Sequence, residues 1–273
     1  MTTVNIPESL IAARRKGPTV LRTADLVSAM SRLREHGAEQ IICLQILDPA
    51  ADLRPLIDAE KAGPVEVVVQ DPGTAIPLLY RLSDLVRVCP VRVSIKVCPG
   101  FLKAVRVAAS LHCAVKLEVG QPGPGAVAEL LDALAFYLHG EGVTEPIEFF
   151  HTLLTAVFHD VPITLWDIQE EDPATFRYLT DDGRETPPGR LAQCSLDELL
   201  TADGACNGER LSAHAECGSC PFRAHCGGYF KWPNPAYRCD GVRELLGRVL
   251  GAVHDLKGDI AEHTKAMGAE SGE

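Results

Sequence analysis

Two rhythms of apolar residues alternate along the first 165 positions, one with a period near three and a half and one with a period of two. Leu26, Met30 and Leu33 form a helical stripe, with Thr23 as its expected N-cap and Gly37 as its stop. Strands are predicted over Gln40–Leu47, Val65–Gln70, Val91–Val97, Ala114–Val119 and, more weakly, Ile147–Phe150. Helical patterns fill the gaps near 50–62, 73–87, 100–112 and 125–139; the last carries Val127, Leu130, Leu131, Leu134 and Leu138 on one face. Strand and helix in alternation predict an α/β fold with a parallel sheet. Five strands, six with an N-terminal one, are too few for an eight-stranded barrel and suit a partial (βα)6-type, TIM-like barrel over residues 1–165.

After residue 165 the pattern loosens. Val161–Trp166 reads as one more strand, and Glu170-Glu171-Asp172-Pro173 and Asp181-Asp182-Gly183 read as turns. Residues 166–273 are expected to form a small cysteine-rich domain closed by an amphipathic helix from Val242 to about Met267. Leu245, Leu246, Val249, Leu250 and Val253 form the inward face of that helix.

In Val91-Arg92-Val93-Ser94-Ile95-Lys96-Val97 apolar and polar residues alternate, and Lys116 and Glu118 repeat the pattern in the next strand. Helices cover the outside of a barrel, so the apolar faces must meet them. Arg92, Ser94, Lys96, Lys116 and Glu118 then face the lumen, beside Glu66, Gln70 and Glu148. Charges removed from water need partners. Two readings follow: an internal salt-bridge network, or a pocket in which Arg92 and Lys96 hold an anionic ligand or peptide carboxylate.

Composition narrows the classes. A chain of 273 residues with 46% hydrophobic positions can bury a substantial core. No apolar run is long enough to span a bilayer, and Arg14-Arg15-Lys16 leads into no signal-peptide core. A cytoplasmic protein with reduced thiols is expected, and a net charge of −11 argues against general nucleic-acid binding while leaving room for a basic peptide or protein partner.

Ten cysteines are the main candidate chemistry. Cys43, Cys89, Cys98 and Cys113 sit in or beside apolar segments, where buried thiols are common. Cys217, Cys220, Cys226 and Cys239, separated by two, five and twelve residues, form a late cluster of soft ligands suited to zinc or to an iron–sulfur cluster. Gly218, Gly227 and Gly228 would let the backbone turn closely around the sulfurs, with Arg223 and Lys231 adding positive charge. Spacing alone leaves zinc and a cubane cluster level, with free thiols a lesser third reading. Cys194 and Cys206 read as ordinary thiols, with Cys206 a reserve ligand. His151, His159, His214 and His225 form no base–nucleophile arrangement, and Gly120–Gly125 lacks the Lys-Ser/Thr of a phosphate loop.

The stretch Cys217-Gly-Ser-Cys220-Pro-Phe-Arg-Ala-His-Cys226-Gly-Gly-Tyr-Phe230, with Cys239 beyond it, resembles the C-terminal SPASM domain of radical S-adenosylmethionine (SAM) enzymes that modify peptides. Phe230 stands where that family has a further cysteine, used for a first auxiliary cluster. The resemblance implies that Cys217, Cys220, Cys226 and Cys239 keep one complete [4Fe–4S] site. The family's Cys-x3-Cys-x2-Cys loop is missing, because residues 1–42 hold no cysteine, and Leu44–Pro49 replaces its Gly-Gly-Glu-Pro segment. A degenerate member is therefore expected: no SAM bound, no radical chemistry, no catalytic residue of its own. Its partners would be a precursor peptide and a maturation enzyme, as in systems that pair a SPASM-bearing protein with an ATP-grasp ligase. A zinc-stapled binding protein and an enzyme using the lumen for non-radical chemistry are the alternatives.

Overall fold

The structure, a computed structural model, describes residues 2–13, 17–59, 63–192, 194, 196, 199 and 215–270. Two strands precede the first long helix: β1 (Thr3–Pro7) and β2 (Thr19–Thr23), before α1 (Leu26–His36). There follow β3 (Ile41–Ile46), α2 (Arg54–Ile57), β4 (Val65–Val69), α3 (Pro72–Leu79), α4 (Leu82–Leu85), β5 (Val91–Lys96), α5 (Phe101–Ser110), β6 (Ala114–Glu118), α6 (Pro124–His139), β7 (Ile147–Glu148) and α7 (Phe150–Phe158). The remainder holds α8 (Leu165–Ile168), β8 (Phe176–Leu179), β9 (Glu185–Thr186), α9 (Ala215–Gly218), α10 (Arg223–Cys226) and α11 (Asp240–Glu270).

The strands form one sheet in the order β7-β6-β5-β4-β3-β2-β1-β8-β9, parallel throughout except for the β8–β9 hairpin. Neighbours in space are neighbours in sequence from β1 to β7. Crossovers of one hand then put the helices on one face of the sheet. Val65, Val67 and Val69 of β4, Val91, Val93 and Ile95 of β5, and Val115 and Leu117 of β6 are buried on that face. Asn5, Gln45, Glu66, Ser94 and Lys116 are buried on the other. The Asn5 amide of β1 donates to the Gln45 side chain of β3 at 3.0 Å, reaching across β2. That contact requires the polar face to be concave. The sheet stays open, with β7 and β9 at its edges. Among the described residues, no helix is long and apolar enough to cross a membrane.

Several expectations need correction. Thr23 ends β2 and is not a cap; the Asp25 carboxylate caps α1 by accepting from the Ser28 N–H. Gly37, at φ 78°, does end that helix. The helix expected over 50–62 has four residues, and the one over 73–87 is interrupted after Leu79, where Tyr80 and Arg81 separate two short helices. Val161–Trp166 is not a strand: Thr164 and Asp167 form a capping box that starts α8. The stretch after residue 165 also supplies β8 and β9 to the sheet, turning at Gly183 with φ 80°.

Candidate functional site

The four late cysteines come from three short elements and the start of a long one. Cys217 lies in α9, Cys220 in the turn after it, Cys226 at the end of α10, and Cys239 just before α11. Gly227 and Gly228 follow Cys226 at φ 56° and 73°, two successive left-handed residues of the kind glycine adopts most readily. They reverse the chain so that the N–H groups of Gly228, Tyr229 and Phe230 act on the Cys226 sulfur. Gly218 is an ordinary helical residue with open space where a side chain would go.

All four sulfur-bearing residues line one cavity, with Phe222, Phe230, Val242 and Leu246 as apolar wall and Arg223, Lys231 and Arg243 as cations. Lys231 is buried; its ammonium bonds the Glu216 carboxylate and, at 2.5 Å, the Tyr237 carbonyl. Arg243 pairs with Glu216 at 3.3 Å, and its buried Nε has no hydrogen-bond partner among the described residues. Burial pushes the Cys217 and Cys239 thiols above their ordinary range, with Lys231 as the principal opposing influence. Burial raises Cys226 to about 11, against the pull of the three N–H groups. Sequence reasoning missed Arg243, which lies in a helix read only for its apolar face.

The donor set suits a thiophilic metal group: four sulfurs, no histidine, and one carboxylate already held by two cations. The cavity measures about 20 Å³, roughly one water-sized space as the thiols stand. Cys217 and Cys220 are half-buried beside it. Among the described residues, no three His, Cys, Asp or Glu side chains are grouped closely enough to hold a metal ion.

This segment is fixed to the sheet. The Trp166 indole donates to the Gly227 carbonyl at 3.0 Å, and a Cβ on Gly227 would stand 3.2 Å from that ring. The Tyr229 hydroxyl donates to the Val119 carbonyl at 2.6 Å, and the Tyr237 hydroxyl to the Pro122 carbonyl at 2.8 Å. Arg190 lies 3.9 Å from the Tyr229 ring centre and bonds Glu171 at 3.1 Å. Phe230 is buried between Tyr229 and Tyr237, so an aromatic ring fills the position at which the SPASM pattern has a further cysteine.

The other cysteines stand apart from this cavity. Cys89 and Cys113 are buried in the core, Cys98 is half-buried and Cys194 packs against the core. Cys206, like His214, lies outside the described residues. Cys43 departs from the expected apolar setting: burial first, then Glu66, raises its thiol to about 12, with Arg92, Glu170 and Lys116 also acting on it.

On the concave face, Arg92 reaches Glu66 at 2.5 Å and Glu170 at 3.2 Å, while Lys116 reaches Glu170 at 2.5 Å. Ser94 donates to Glu118 at 3.0 Å. Burial raises the Glu118 carboxyl, whereas Glu170, which burial alone would raise, is held below the ordinary range by Lys116 and Arg92. Lys96 and Gln70 are exposed at strand ends outside this network, and Glu148 bonds Thr152. Along the chain Glu170 stands out only as part of a turn. Neighbouring Gln169 binds both the N–H of Val119 and the carbonyl of Leu117, which brings Glu170 over the sheet. Cys43, Arg92 and Glu170 also border a wide cavity of about 1100 Å³ that opens at the N-terminal ends of the strands.

β2 passes to α1 through Ala24 and Asp25 alone, and Leu47, just after β3, is exposed with its N–H on the Thr23 carbonyl. Among the described residues, His151 meets the Tyr137 hydroxyl at 2.8 Å, His159 packs edge-on against Phe158, and His225 Nδ1 is 3.4 Å from the Ile163 carbonyl. Compared with the models of known protein families, with curated proteins and with solved structures, the chain matches none.

Proposed function

We propose that this chain is an iron–sulfur protein that binds one [4Fe–4S] cluster through Cys217, Cys220, Cys226 and Cys239. In this reading it serves a partner enzyme in maturing a ribosomally made peptide and does not cleave SAM. The observation that carries the reading is that four cysteines from separate segments of the chain line one cavity with Arg223, Lys231 and Arg243 in its wall. A cluster held by four thiolates supplies a low-potential one-electron site. The chain's own contribution is to hold the sulfurs on a base anchored by Trp166, Tyr229 and Tyr237, to aim N–H groups at Cys226, and to offset thiolate charge with Lys231 and Arg243.

Zinc is the second reading, favoured by the all-thiol donor set and by the tight glycine turn after Cys226, which a structural zinc site uses equally well. An anion pocket held by Arg92 and Lys96 has less support than an internal ion-pair network: Arg92 is already paired with Glu66 and Glu170, and Lys96 is exposed outside that network.

The functional part is tested by anaerobic copurification with the proteins encoded beside it, followed by a maturation assay with and without this chain. The reading expects modified precursor peptide only when the chain is present, and loss of modification with Cys226→Ala. Unchanged modification in its absence would contradict it.

A further inference from the structure

α11 begins in contact with α6, where a Cβ on Gly241 would stand 2.9 Å from Val127. Farther along, a groove of about 740 Å³ opens between the two helices. Its apolar bed includes Leu131 and Leu138 of α6 and Leu256 of α11, and Leu138 and Leu256 are 37% and 50% exposed. The apolar stripe of α11 runs on from buried Val253 through Leu256 to Ile260, at the three- and four-residue spacing of a helix face, and the last two are uncovered. Asp132, Asp255 and Asp259 line the rim, and none has an ion-pair or hydrogen-bond partner among the described residues. His139 and Arg248 also line the groove; Arg248 pairs with Glu244 on its own helix at 3.7 Å, and nearby Lys257 pairs with Asp160 at 3.7 Å, so the aspartates outnumber the basic groups around the apolar bed.

Gly251 lies in the groove, in the interior of a long helix, where glycine is the least favourable residue after proline. Among the described residues a Cβ there would meet nothing within 4 Å, so their packing does not call for glycine. Close approach of another backbone would.

We infer that this groove docks an amphipathic helix of a partner polypeptide, apolar along one face and flanked by lysine or arginine. Charge complementarity selects that occupant. A second copy of the chain would bring the same three aspartates to the contact and a net charge of −11 to the encounter. The inference does not depend on what the cysteines hold, since neither helix face in the groove carries one of them.

The test uses the full chain and two labelled synthetic helical peptides of about 18 residues, both with a leucine stripe, one flanked by lysines and the other by glutamates. In fluorescence anisotropy the lysine peptide should bind at least about tenfold more tightly, and the preference should reverse in Asp255→Lys/Asp259→Lys. Gly251→Leu should weaken binding of the lysine peptide by about tenfold or more, with Gly251→Ala as the milder companion should the larger residue disturb folding. Both substitutions should leave the thermal midpoint of the free chain unchanged or higher. Equal affinity for the two peptides, absence of binding, or indifference to both Gly251 substitutions would overturn the inference. So would sedimentation showing a dimer that Gly251→Leu disperses, which would assign the groove to a second copy.

Discussion

Tyr229 donates its hydroxyl to the Val119 carbonyl at 2.6 Å, joining the turn that follows Cys226 to the residue that follows β6. The two lie 110 positions apart and both are buried. Tyr229→Phe keeps the ring and leaves the carbonyl without that donor. A buried acceptor deprived of its partner costs about 1–3 kcal/mol. The thermal midpoint should fall by several degrees, at about 2–4 °C per kcal/mol for a chain approaching this size. Circular dichroism checks it; an unchanged midpoint would show that the anchor contributes nothing.

Glu170 holds two cations of the concave face, and Lys116 is almost entirely buried beneath it. Glu170→Gln would remove the carboxylate paired with Lys116 and leave only the more distant Glu66 to offset that charge. The cost should be about 2–4 kcal/mol, below the ~3–5 kcal/mol of a fully enclosed pair because Glu170 keeps 25% of its side-chain surface. Lys116→Met combined with Glu170→Leu should recover most of that loss. Urea denaturation of the three proteins measures both steps.

The two carboxyls of that face should answer to pH with opposite sign. Glu170 is held below its unfolded value, so its contribution is full above about pH 4.3 and disappears as pH falls through the folded value. Glu118 is raised by burial, so its ionisation opposes folding once pH passes the unfolded value. Glu118→Gln should therefore stabilise the protein at pH 7, with the gain shrinking to nothing below about pH 4. A gain that persists at low pH would mean that ionisation is not its source. Stability curves at pH 3.5 and 7 decide it.

Where period and burial agree, the fold was legible from residues alone. β5 alternates strictly, and its odd positions Val91, Val93 and Ile95 are buried against helices, as the pattern requires. β1 and β2 were harder: Thr3–Pro7 and Thr19–Thr23 are short and mix polar residues into both faces, because Asn5 and Arg22 bond to each other on the concave side. β8 escaped notice for a similar reason, being four half-buried residues paired only with β1 and a two-residue hairpin partner. At the candidate centre, cysteine spacing and the Gly227-Gly228 pair pointed to a close turn around sulfur, and the chain makes one. Arg243 and Glu170 could not be read in advance, since a single charge on an amphipathic helix or in a turn carries no periodic signal; only the folded chain brings each to its partners.

The claim on which the account turns is the identity of what Cys217, Cys220, Cys226 and Cys239 hold. Iron, acid-labile sulfide and zinc should be measured per chain after anaerobic purification, for the native protein and for Cys226→Ala. The account predicts a brown protein with about four iron and four sulfide per chain, both lost in the variant. A colourless protein with one zinc per chain would contradict it.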